Sequence, residues 1–161
     1  MAATATLEQE EQLVAFRLAG ETYGIPIMLV HEIIRPCEIT RIPRSPEYVR
    51  GVVNLRGKIV PVIDLRRRLA LPDAVETGST RIVVVEVEQG IVGMIVDGVS
   101  QVIRLPAAQI EPPSDLVADV ETELVIGVGK LGDDLVILLD IPKTLHMDEH
   151  VRGFADVAQA A

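Results

Sequence analysis

Two stretches of this chain occur twice. Tyr23–Ile34 (YGIPIMLVHEII) aligns with Val92–Ile103 (VGMIVDGVSQVI), setting Gly24 on Gly93, Val30 on Val99 and Ile34 on Ile103. Gly51–Leu65 (GVVNLRGKIVPVIDL) aligns with Gly127–Ile141 (GVGKLGDDLVILLDI), setting Gly51 on Gly127, Leu55 on Leu131 and Asp64 on Asp140. Two copies in the same order, within 161 residues, predict two small units of one design, roughly 12–71 and 80–146. Neither unit is long enough to bury a comfortable core alone. The two are therefore expected to share an apolar seam, and strand exchange between them would blur the boundary. Residues 1–11 and 147–161 read as flexible tails.

The repeated unit has the pattern of a β unit. Apolar residues are 48% of the chain, yet there are only two Phe, two Tyr and no Trp, so the core is aliphatic and β-branched, which favours strands. Short apolar runs recur with turn signals about every ten residues, the spacing of barrels and sandwiches. Val83, Val85 and Val87 alternate with Glu86 and Glu88, and Gln89-Gly90 turns the chain into Ile91–Val96. Prolines such as Pro26, Pro43, Pro46, Pro61, Pro106, Pro112 and Pro113 punctuate the pattern and leave little room for long helices. Short helices are expected after Asp64 (LRRRL) and Asp140 (IPKTL), where the carboxylate can accept a free first-turn amide.

Several motifs suggest chemistry and then fail on context. Gly127, Gly129 and Gly132 spell G-x-G-x-x-G, but a dinucleotide site needs a helix to open there, and Asp133-Asp134 leads into the apolar run Leu135–Leu139. A hairpin turn is the expectation. His146 and His150 stand four apart without a third ligand, in a segment read as a solvated tail. Cys37 is alone, which excludes a disulfide framework and a cysteine zinc cluster. Asp64 and Asp140 are equivalent caps and need no catalytic role. No nucleophile elbow or Ser-His-Asp arrangement is present, so neither an enzyme nor a cofactor or metal is expected. The leader has neither the basic start nor the apolar stretch of a signal peptide.

Charge is unevenly placed. The chain carries a net charge of −9, which argues against a dedicated nucleic-acid or anionic-membrane binder. Nine of its 15 basic residues nevertheless fall between positions 35 and 68, against three carboxylates. An oligonucleotide-binding barrel would use such a face, but it also needs aromatic platforms for the bases, and aromatics are only 2% of the chain. Docking onto acidic or mixed-charge protein surfaces is the better use. Within the segment, Asn54-Leu55-Arg56-Gly57 reads as a hairpin tip. An Arg on such a tip suits bidentate contact with a partner carboxylate or backbone carbonyls. Its counterpart in the second copy is Gly132, so the repeat unit does not require it.

NLRGKIVPVIDLRRRL (Asn54–Leu69), YGIPIMLVHEII before it, and VGMIVDGVSQVI and LGDDLVILLDI after it resemble the CheW-type chemotaxis coupling proteins. The likeness runs from about Leu13 to Leu145, and NLRG followed by PVIDLR is shared with the regulatory domain of the CheA histidine kinase. At this length CheA itself is not expected, and neither is a CheV-type protein with its receiver domain. The resemblance implies an all-β fold of two intertwined SH3-like five-stranded barrels with short helices. It implies a cytoplasmic, non-enzymatic adaptor linking chemoreceptor cytoplasmic tips to a CheA-type kinase, touching the membrane only through receptors. The same fold in a non-motility chemosensory pathway is the alternative. Receptor contact in the family lies along the groove between barrels. The matching positions are Val30 and Val99 for apolar contact, Glu32 and Arg56 for polar anchoring, and Gly51, Gly57 and Gly93 for close backbone approach.

Overall fold

A computed structural model describes residues 10–88, 90–112 and 124–145. The first strand, β1 (Glu10–Leu18), turns at Ala19-Gly20 into β2 (Glu21–Pro26). A single 3-10 turn, Ile27–Leu29, leads to β3 (Val30–Ile34). An irregular stretch follows, then the hairpin β4 (Val49–Leu55) and β5 (Lys58–Asp64), and the short helix α1 (Leu65–Arg68). The second half repeats the scheme with β6 (Arg81–Val87), β7 (Gly90–Val96), β8 (Gly98–Pro106), β9 (Ile110–Glu111), β10 (Val125–Leu131), β11 (Asp134–Leu139) and α2 (Ile141–Thr144).

The strands form two sheets, ordered β3-β6-β7-β5-β4 and β8-β1-β2-β11-β10-β9. The barrels are therefore not the contiguous halves 12–71 and 80–146 that the repeat suggests. Hairpin β1–β2 belongs with the C-terminal strands, and hairpin β6–β7 with β3–β5. The cause lies in the connections. Each exchanged hairpin joins its barrel through a parallel pair, Thr22–Gly24 beside Val136–Leu138 and Gly93–Ile95 beside Val62–Asp64. Parallel neighbours need a long crossover, which no tight turn supplies. A three-residue turn after β2, and Asp97 alone between β7 and β8, deliver the chain to the other sheet instead. The other barrel is thus the crossover.

The repeated residues hold equivalent places. Gly24 and Gly93 lie on the two parallel seams, where a Cβ would come within 3.0 Å of Val136 and 2.8 Å of Ile82 respectively. Gly51 and Gly127 lie at equivalent β-bulges. A Cβ at Gly51 would sit 2.1 Å from the Thr40 carbonyl oxygen, and its φ of 144° disfavours any side chain. Asp64 and Asp140 cap α1 and α2 as expected, accepting from the amides of Arg67 (3.4 Å) and Lys143 (3.1 Å). The G-x-G-x-x-G string is the β10–β11 hairpin.

One core spans both barrels. Phe16 and Tyr23 stack with ring centroids 5.9 Å apart. They share a buried cluster with Val83, Val85 and Met94 from the other barrel and with Leu65, Leu69, Ile141 and Leu145 from the two helices and their C-caps. Arg68 ties the helices together: its guanidinium donates to the carbonyls of Thr144 (2.7 Å) and Lys143 (3.2 Å) and lies over the Tyr48 ring. His146, His150 and the tail beyond them lie outside the described residues.

Candidate partner-binding surface

The β4–β5 hairpin closes on Arg56 and Gly57, whose φ angles of 52° and 89° make a two-residue turn with both central residues left-handed. The Asn54 side-chain oxygen accepts from the Gly57 amide at 2.8 Å and fixes the tip. Asn and Gly are the residues that make such a turn cheap. Arg56 is the one that does not, and its side chain is 68% exposed.

That side chain is engaged. Arg56 Nη1 donates to Glu32 Oε1 at 3.1 Å, and Nη2 donates to Glu32 Oε2, a bidentate pair. Strands β3 and β4 are the two edges of their sheet. The pair therefore bridges the mouth where the curled sheet leaves its edges unjoined. The hydrogen bond from Arg56 holds the Glu32 carboxyl below its ordinary range, against a smaller opposing effect of desolvation and with added help from the charge of Arg56 and from His31. Arg56 is raised in turn, chiefly by the same hydrogen bond. Both groups stay charged across the physiological range. Among the described residues, the second barrel has no such clasp. By the repeat, Gln101 and Gly132 stand at these places, and Lys130 and Glu111 pair at 3.2 Å elsewhere on that surface. A barrel of this design closes without the clasp.

The other expected residues divide in two. Val30, on the same strand as Glu32, and Val99, on β8, are half-buried and lean on the shared core. Val99 also lines a groove of about 500 Å³ between the barrels, with Arg17, Ile33, Arg81 and Asp97. Gly51 and Gly93 are buried within the sheet, and the close contacts around them account for glycine there without a partner. Sequence reasoning missed Ile33, Arg17 and Arg81. Ile33 is 40% exposed although it sits in an apolar run, and the alternation along β3 turns it away from the core. Among the described residues, no group of His, Cys, Asp and Glu could hold a metal ion. No helix among them is long and apolar enough to cross a membrane.

These features define an all-β protein of two intertwined SH3-like barrels. The family model described as the CheW-like domain matches residues 12–149, and the chain belongs to that family. It is 41% identical to the chemotaxis protein CheW of Klebsiella aerogenes over 139 residues, 86% of this chain and 84% of that one. It is 36% identical to the chemotaxis protein CheW of Helicobacter pylori, over 88% of this chain and 85% of that one. Among solved structures it resembles the scaffolding protein TtCheW of Thermoanaerobacter tengcongensis, with a TM-score of 0.78 and 38% identity, covering 86% and 89% of the two chains.

Proposed function

We propose that this chain is a cytoplasmic, non-catalytic adaptor that couples chemoreceptor cytoplasmic tips to the regulatory domain of a CheA-type histidine kinase. The observation that carries this reading is the clasp between Glu32 and Arg56. It is exposed, charged and fixed by a shaped turn, and the equivalent barrel dispenses with it. Exposed Arg held rigid is a common anchor of protein interfaces. Val30 and Ile33 on β3, and Val99 across the groove, add apolar contact beside it. Family membership supports the same reading, since similar proteins carry chemotaxis and scaffolding names. The mechanism is simultaneous occupancy. An adaptor that holds receptor and kinase in one geometry lets a receptor change bias the kinase equilibrium by its differential contacts.

The test is a pull-down of receptor cytoplasmic domain and kinase by tagged wild-type chain, Arg56→Ala and Arg56→Glu, with circular dichroism of each. Both variants are expected to fold and to retain kinase while losing receptor. A folded Arg56→Glu that recovers receptor at the wild-type level overturns the role given to the clasp.

A further inference from the structure

The loop before β4, the start of β4 and the chain after α1 enclose a second, open cleft of about 1220 Å³. Four arginines line it, Arg41, Arg44, Arg50 and Arg67, against two carboxylates, Glu47 and Asp73. Asp73 is already engaged by Arg67 at 3.1 Å, and Arg50 reaches Asp64 at 3.5 Å. Arg41 and Arg44 are exposed and have no hydrogen bond or ion pair among the described residues. The backbone of Arg44 is left-handed, with φ 60°, a conformation that Gly or Asn adopts at lower cost. The Ser45 hydroxyl donates to the Ile42 carbonyl at 2.8 Å and ties the turn on which Arg44 stands. Unmatched cations thus converge on one cleft of a chain whose net charge is −9.

We propose that this cleft docks an extended, carboxylate-rich segment of a partner protein. Planar guanidinium forks match carboxylates two bonds at a time, and complementary charge sets both encounter rate and register. The lining holds no aromatic ring on which a base could stack, which disfavours single-stranded nucleic acid. Val49 lines the cleft, while Leu55 at the other end of β4 leads into Arg56, so by strand rise the two surfaces lie about 20 Å apart. A segment docked here leaves the clasp free. This proposal is independent of the receptor reading and stands or falls without it.

The experiment is fluorescence anisotropy on the full chain, with a labelled decapeptide of alternating Glu and Asp as probe, at low and at about 0.15 M ionic strength. The variants are Arg41→Glu/Arg44→Glu and a charge-matched control, Lys58→Glu/Arg104→Glu, which alters exposed cations elsewhere. Saturable binding weakened about tenfold or more by the first pair, and less than about threefold by the control, is the expected result. Equal weakening by both pairs reduces the effect to net charge and overturns the proposal, as does absence of saturable binding. Tighter binding of an oligothymidine of matching length also overturns it, in favour of nucleic acid. Circular dichroism checks the fold, and Arg41→Gln/Arg44→Gln replaces the reversal if that variant does not fold.

Discussion

Arg66 holds Asp97 with two hydrogen bonds, Nε to Oδ1 at 3.0 Å and Nη2 to Oδ2 at 2.5 Å, across 31 positions of chain. Asp97 is the residue at which the chain leaves one barrel for the other, and its Oδ2 also accepts from the Ala19 amide at 2.8 Å in the β1–β2 turn. A single carboxylate therefore joins α1, the crossover and the exchanged hairpin.

Asp97→Asn is expected to destabilise the protein by about 1–2 kcal/mol at neutral pH, because a charge-assisted pair is lost at a partly exposed site. Burial pushes the Asp97 carboxyl up, but the hydrogen bonds from Arg66 and Ala19 more than offset this and leave it below 3.8. A carboxyl depressed by folding contributes stability that is fully present above its unfolded value and is lost as pH falls through the folded one. Urea unfolding at a series of pH values should show the gap between wild type and variant constant above about pH 5 and closing below pH 3.8. A gap that does not close in acid assigns the loss to packing.

Gly51→Ala is expected to cost upwards of about 3 kcal/mol, since the new Cβ meets the Thr40 backbone oxygen at 2.1 Å on an unfavourable φ. Gly57→Ala has open space around it and a φ of 89°, so only the left-handed penalty of about 1 kcal/mol applies. Thermal denaturation of the two variants separates a glycine required by contact from one required by a turn. Comparable melting temperatures would contradict the distinction.

Receptor capture that depends on the clasp should be flat from about pH 8 down to pH 5. The Glu32 carboxyl titrates below its ordinary 4.5, so the pair survives until the pH falls under that value. Capture measured across this range on wild type and Arg56→Ala checks it. A wild-type transition near neutrality would point to another group.

Arg68→Ala removes two hydrogen bonds to helix-end carbonyls and the cover over Tyr48, and about 1–3 kcal/mol of stability with them. Arg68→Lys should recover only part, because a point ammonium cannot serve the two carbonyls and the ring in the same plane. Chemical denaturation of both variants is the measurement, and a fully rescued Lys variant would rule the planar geometry out.

The repeat made the two-unit design legible, along with the paired caps at Asp64 and Asp140 and the failure of the nucleotide motif. Alternation of valines is a local signal, and so is a carboxylate before a short helix. The exchange of hairpins left no local signal. Thr22–Gly24 pairs with Val136–Leu138 across more than a hundred positions, and nothing in either string names its neighbour. The same limit applies at the surface. Arg56 was legible as a tip residue because Asn54 and Gly57 announce the turn. Its grip on Glu32 depends on how far the sheet curls, which no spacing encodes. Ile33 and Arg17 were missed because they meet only where two barrels face each other.

The exchanged hairpins also set an order of assembly. Hairpin β1–β2 is synthesised first but has its parallel partner in β11, which ends at Leu139, while β3–β5 wait for β6–β7, which end at Val96. On the ribosome neither barrel can close until most of the chain has emerged, so each half is born with open strand edges. A fragment ending near residue 71 should therefore be an aggregating peptide and not half a protein, and the two barrels gain or lose their structure together.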